Sequence, residues 1–338
     1  MNRVLLIRLS HLGDIILTEP VVRSIRAAYP DAEIEFLTRE MYRDVVELFD
    51  GIDSVLGLEI PGRDQTLFGL SKTVRRICHQ RYDLVVDLHN NLRSRWIAFQ
   101  LHADKVNRYP KNWRARRRAV RKKLHDAGLH TVDLYLDALK GTGIPIVARN
   151  PGVTIPAENS GQLLEDHGLR RGGYVVFAIG ASHPTKHYPI PQWVDLAETV
   201  VAEFDTNVVV VEKERQGYLN LFDDLAKSGR LCVLTGLQLP SLAGLLAASH
   251  LTVSNDSGVM HLSAAAGTPT AGLFGPTHPS LGFSPLGEKC VAVTTDESCS
   301  PCSKHGASPC YRDERYCFTK MDAGMIIDRI REVFDHGQ

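Results

Sequence analysis

No stretch of this 338-residue chain approaches the ~18–20 consecutive apolar residues that would span a bilayer, and its longest apolar runs, such as Tyr174 to Ile179, are strand-sized. The apolar stretch at the N-terminus is stopped by Arg8 after four residues, too short for the ~7–15-residue core of a secretory signal, so a cytoplasmic protein is expected. Net charge is absent as well, with 39 Lys and Arg against 39 Asp and Glu. There is no repeat at the ~20–50-residue period of solenoids and no low-complexity tract. Neither a G-x-G-x-x-G fingerprint nor a Walker A loop occurs, and helix-turn-helix, zinc-finger and RNP patterns are missing, so a nucleic-acid partner is not expected. Cysteine is sparse: of seven, four lie within nineteen residues (Cys299, Cys302, Cys310 and Cys317). In a reducing compartment these are expected as thiols tightening a loop or as ligands of a structural zinc or iron, rather than as disulfides.

What is present is a regular alternation of short β-rich apolar runs with helix-period segments, the pattern of βαβ units around a parallel sheet. Val4–Leu9, Glu33–Thr38 and Asp83–Leu88 read as strands of a first half. Tyr174–Ile179, Asn207–Val211, Leu231–Leu234, Leu251–Ser254 and Thr270–Phe274 read as strands of a second. Two Rossmann-like α/β domains are therefore expected, 1–150 and 151–320, joined through the Gly/Pro-rich stretch Gly141 to Pro156. A C-terminal helix in 321–338 is expected to pack back on the first domain. The neutral total hides a split: residues 1–150 carry 25 basic and 18 acidic side chains (+7), residues 151–338 carry 14 and 21 (−7). Within the first half, Lys105 to Lys123 holds ten Lys or Arg and no acid. This is either a solvated helix face or a surface for a polyanion such as a phosphorylated glycolipid, with Arg114 and Arg117 as candidate contacts.

Three motifs sit where an open α/β sheet places ligand-binding residues, just after strands. The first is Ser10-His11-Leu12-Gly13-Asp14, in which Asp14 reads either as an N-cap or as a general base. The second runs from Gly180 to Lys186. Gly180 allows close backbone approach, Ser182 and Thr185 offer hydroxyls and Lys186 a mobile cation, the composition of a diphosphate cradle. The third, Asn255-Asp256-Ser257-Gly258-Val259-Met260-His261, opens a helix whose free N–H groups can hold an anion. There Asp256 orients the loop or a ligand hydroxyl, and His261 either reaches the same phosphate or is structural. His89, Asn90 and Arg93, after the strand ending at Leu88, are further candidates for acceptor binding.

Taken in order, S-x-x-G-D (Ser10 to Asp14), G-x-S-x-x-x-K (Gly180 to Lys186) and N-D-S-G-x-x-H (Asn255 to His261) followed by Phe274-Gly275-Pro276-Thr277 resemble the bacterial heptosyltransferases of glycosyltransferase family 9. The resemblance spans the chain and implies a GT-B fold, two Rossmann-like domains facing across a cleft. It implies inverting transfer of heptose from ADP-heptose to the inner core of lipopolysaccharide or a lipid A precursor, by an enzyme peripheral to the inner membrane. It assigns Asp14 as the base, Lys186 and Ser182 to the donor phosphates, Glu214 or Glu212 to the ribose and Leu239 to the adenine face. Asp256, Ser257, Gly258 and His261 match the third motif. No D-x-D motif is present, so chemistry without a catalytic metal is expected. The alternatives are another GT-B activity, such as nucleotide-sugar epimerisation, and a polyanion-binding module.

Overall fold

The structure, a computed structural model, describes residues 1–334 apart from 79, 127 and 129. Eleven strands are formed among the described residues: β1 (Arg3–Ile7), β2 (Glu33–Arg39), β3 (Ser54–Leu58), β4 (Arg81–Asp87), β5 (His102–Arg108), β6 (Tyr174–Ala178), β7 (Asn207–Glu212), β8 (Leu231–Thr235), β9 (Leu251–Asn255), β10 (Thr270–Leu273) and β11 (Cys290–Val293). They make two sheets, ordered β3-β2-β1-β4-β5 and β11-β10-β9-β6-β7-β8, and every pairing is parallel. Central strands such as β1 and β6 are continuous apolar runs because helices cover both faces of a parallel sheet. Leu5 and Ile7 of β1 lie in one buried cluster with Leu37, Leu70, Val74 and Ile97, and Val175 and Phe177 of β6 in another with Trp193, Leu196 and Ile327.

In each sheet the strand order reverses beside the first strand of the unit, between β1 and β4 and between β6 and β9. A crevice opens at the carboxyl ends of strands at such a switch point. All three sequence motifs follow β1, β6 or β9, and His89 follows β4.

The chain folds into two compact units, one of residues 1–112 and 131–154, the other of 113–130 and 155–338. Residues 113–130 therefore depart from the expected 1–150 domain and pack with the second unit. The cause is a set of specific contacts made by the Trp113–Lys122 helix and the loop after it. Arg116, buried against the Phe283 ring, donates Nε to the Leu281 carbonyl at 3.1 Å. Lys123 Nζ reaches the Pro301 carbonyl at 3.0 Å, and Ser280 Oγ donates to the Leu124 carbonyl at 2.7 Å. The C-terminal helix, Ala323–Phe334, packs on the Ile190–Phe204 helix and β11 of its own unit, where packing on the first was expected. Its Ile326, Ile327 and Ile330 are buried in the second unit's core. No helix among the described residues is long and apolar enough to cross a membrane.

Candidate active site

In the first unit, β1 ends at Ile7 and the chain turns through Arg8–His11 into the short Leu12–Ile16 helix, whose first turn holds Asp14. His11 takes a φ of +65°, which lets the helix start directly over the strand end. Asp14 is not a helix cap. Its Oδ2 pairs with Arg8 Nη2 at 2.6 Å, and its Oδ1 accepts from the Tyr135 hydroxyl at 2.8 Å. Arg8 is buried, with Nε on the Ser10 carbonyl and Nη1 on the Leu88 carbonyl. Burial alone would weaken its charge, but Asp14 and the oxygens of Tyr135 and Tyr109 hold the guanidinium above its ordinary pKa. Burial likewise raises the Tyr135 phenol, with Arg8 opposing, so Tyr135 stays a donor.

Of the β4 candidates, His89 belongs to this charge cluster. Desolvation, then the charges of Arg8 and Lys111, push its pKa down to about 3, and its Nδ1 is buried with no hydrogen-bond partner. Asn90 is committed structurally, its Nδ2 donating to the Tyr109 carbonyl and its Oδ1 accepting from Arg95. Arg93 reaches the Gln65 carbonyl at 3.3 Å. Asp87 fixes the loop by accepting from the amides of His89 and Asn90 and from Ser94 Oγ. Arg8 and Tyr135 escape sequence reading. Arg8 looks there like the end of an apolar run, and Tyr135 lies 121 residues from Asp14.

In the second unit, Lys186 is buried and its Nζ lies 2.8 Å from Asp256 Oδ2, which also accepts from Thr277 Oγ1 at 2.7 Å. Asn255 ties the two loops together, donating Nδ2 to the Ile179 carbonyl at 2.6 Å and accepting from the Tyr188 amide at 3.1 Å. Ser257 caps the Gly258–Ala265 helix position without a side-chain cap bond, leaving the helix-mouth amides open to an anion. His261 is buried within that helix. Ser182 is exposed, and Leu239 is half-buried at the start of the Leu239–Ala248 helix. A Cβ at position 180 would stand 2.8 Å from Glu212 Oε1, so the Glu212 carboxylate lies against this turn. The acid beside that turn is thus Glu212, whereas Glu214 is largely exposed and faces Lys213.

The Cys-rich loop buttresses Lys186. Arg315 Nη1 donates to the carbonyls of Pro184, Thr185 and His187, and Thr185 Oγ1 donates to the Gly306 carbonyl. Gly306, at φ +82°, packs so closely that a Cβ would lie 2.6 Å from Lys186 Cγ. Cys299, Cys302, Cys310 and Cys317 line one cavity of about 20 Å³, all as free thiols. Burial pushes Cys317 up to about 12, with the other three adding to the shift. The donor chemistry suits zinc or iron, and the four thiols surround one cavity although no three of them lie within 4.8 Å of one another.

Among the described residues the one grouping that tight is His125, His278 and Asp296. There His278 Nδ1 accepts from the Ser280 amide at 3.1 Å, so its proton is on Nε2 and donates to Asp296 Oδ1 at 3.1 Å. With both nitrogens committed, and burial lowering the His278 pKa, the trio is a hydrogen-bonded latch. His125, stacked on His278, also meets the Ser300 carbonyl and so helps to hold segment 113–130 on the second unit. Arg114 and Arg117 are exposed on the helix of that segment and belong to the second unit, not to the expected acceptor domain.

Comparison with known proteins places this geometry. The model of glycosyltransferase family 9 (heptosyltransferase) matches residues 70–310. The chain is similar to lipopolysaccharide heptosyltransferase 1 of Pseudomonas aeruginosa, 28% identical with 97% of each chain covered. Among solved structures it resembles a family 9 glycosyl transferase from Veillonella parvula, with a TM-score of 0.77, 20% identity and coverage of 99% and 98%. It also resembles E. coli heptosyltransferase WaaC with ADP, with a TM-score of 0.73, 18% identity and coverage of 98% and 99%. The fold is accordingly of the GT-B class.

Proposed function

The chain belongs to glycosyltransferase family 9 and is a glycosyltransferase, and from that premise we propose that it moves heptose from ADP-heptose to the inner core of lipopolysaccharide with inversion. The observation that carries the donor half is the buried Lys186 ammonium beside Asp256 and Thr277 at the β6/β9 switch point. Departure of ADP leaves negative charge on the β-phosphate. Lys186, held by Asp256, and the Ser257–Gly258 amides answer that charge with donors already fixed in place, the exposed Ser182 adding its hydroxyl, so little reorganisation is needed in the transition state. Glu212 takes the ribose, displacing Glu214 from that role, and Leu239 lies against the base.

The first unit supplies the acceptor chemistry. Asp14 removes the proton of the attacking hydroxyl, which enters opposite the departing phosphate and inverts the anomeric carbon. Arg8 and Tyr135 hold both carboxylate oxygens in one orientation, an arrangement suited to a base that must be aimed before the acceptor arrives. His89 lines the same place as a neutral ring. Because the acceptor is a membrane lipid, the reaction runs at the inner-membrane surface, and Arg114 and Arg117 meet acceptor phosphates.

Isothermal titration tests the donor assignment. ADP is expected to bind in preference to UDP, GDP or an oligonucleotide, and Lys186→Ala to weaken ADP by roughly tenfold or more, the loss of one charge-assisted phosphate contact. Oligonucleotide binding that survives Lys186→Ala while ADP fails to bind would replace this reading with the polyanion module.

A further inference from the structure

Two neighbouring helices of the first unit, Leu67–Ile77 and Leu92–Gln100, have an outer face that the chemistry above does not use. Each buries one stripe, Leu70, Thr73 and Val74 on the first and Ser94, Ile97 and Ala98 on the second. The opposite faces hold large apolar side chains in water: Phe68 is 82% exposed, Leu92 87% and Phe99 80%, with Leu67 and Trp96 also exposed. Trp96 stacks on Phe99 at 6.2 Å and donates Nε1 to Ser71 Oγ at 3.1 Å, tying the helices together. Between them runs a groove of about 570 Å³ lined by Leu67, Phe68, Ser71, Lys72, Arg75 and Trp96. The two helices carry five cations (Lys72, Arg75, Arg76, Arg93 and Arg95) and not one carboxylate.

We infer that this face seats on an anionic phospholipid surface, with the aromatic and leucine side chains entering the headgroup boundary and the cations meeting lipid phosphates. An exposed apolar patch on a soluble protein marks an interaction site. Aromatic rings flanked by snorkelling Lys and Arg suit the boundary between water and acyl chains. A second copy of the same face is disfavoured, since it would set five cations against five. A wholly polar polyanion would satisfy the charges and leave Phe68, Leu92 and Phe99 in water. The inference deepens the membrane contact of the proposed function and rests on that reading only for which membrane is met. It gives the bilayer contact to this face and leaves Arg114 and Arg117 of the 113–122 helix to the acceptor's own phosphates.

The test is co-sedimentation of the full chain with phosphatidylcholine vesicles, with and without about one-third phosphatidylglycerol, alongside transfer assays. The wild-type chain is expected to sediment with the anionic vesicles and only weakly with the neutral ones. Lys72→Gln with Arg75→Gln should weaken binding by about fivefold per charge removed. Phe68→Ser with Trp96→Ser and Phe99→Ser should abolish it even at low salt. These positions are on the surface, so an unchanged circular-dichroism melt is the control for folding. The triple variant should keep transfer to an acceptor stripped of its acyl chains and lose transfer to the same acceptor in vesicles. Undiminished vesicle binding by the triple variant overturns the inference, as does a wild-type dimer that the triple variant dissolves, or capture of an acidic protein with no vesicle binding. Vesicle binding without any sugar transfer would instead leave this face standing and remove the transferase reading.

Discussion

Asp14 is a carboxylate with both oxygens engaged, by Arg8 on one side and Tyr135 on the other. Its sequence context allowed a helix cap or a base, and the pairing removes the cap. Asp14→Asn keeps the shape and removes the proton acceptor, so transfer should fall by roughly 10²–10⁴ while ADP affinity holds. Near wild-type turnover of this variant would show that the base lies elsewhere. His89 makes a second prediction, in stability. Its folded pKa of about 3 lies below the ordinary 6.5, so between those values the unfolded chain binds a proton that the native chain refuses. Stability is therefore lost as pH falls from about 6.5 towards 3, and His89→Gln should flatten that part of the Tm profile. An unchanged slope would contradict the half-buried, neutral ring. Neither Arg8 nor Tyr135 is marked by spacing. Both gain their roles from charges brought together by β1, β4 and the Thr131–Leu136 helix.

At the scale of elements, the sequence was most legible where strands are buried on both faces, since β1, β6 and β7 are built on unbroken runs of four or five apolar residues, while β4 and β9 carry polar residues among their apolar ones. Of the edge strands β8 was legible, whereas β3, β5 and β11 were not. β5 reads His-Ala-Asp-Lys-Val-Asn-Arg, with half its side chains in solvent, and β3 and β11 are five and four residues long. The motif positions were legible because they follow central strands, but which of Glu212 and Glu214 lies beside the Gly180 turn needed the strand's end to be fixed. The Cys-rich loop, read in sequence as loop-tightening thiols or metal ligands, also braces the Lys186 turn. Gly306→Ala should therefore weaken ADP binding roughly tenfold, combining the cost of a side chain at φ +82° with displacement of the Lys186 stem. Gly229, at φ +75° with open space around it, supplies the control. Gly229→Ala should lower Tm and spare ADP affinity, and equal effects on ADP binding from both variants would refute the brace.

For the whole molecule, the +7 and −7 halves of the chain suggested two domains of opposite charge. Segment 113–130 carries seven basic and one acidic residue into the second unit. By folded unit the balance is 18 basic against 17 acidic, and 21 against 22. The asymmetry is a property of chain order that the fold cancels, because the buried Arg116 and the His125 latch are tertiary contacts invisible to composition. What persists is local: a lysine and helix mouth at one switch point, an oriented aspartate at the other, and an apolar, cationic face on the first unit. The central claim is tested most directly by incubating the purified chain with ADP-heptose and heptose-deficient lipopolysaccharide core and following both products by mass. The account predicts one heptose added to the core for each ADP released, with inverted anomeric configuration and loss of both products in Lys186→Ala. Release of free sugar without addition to the core, or consumption of another nucleotide sugar in place of ADP-heptose, would contradict it.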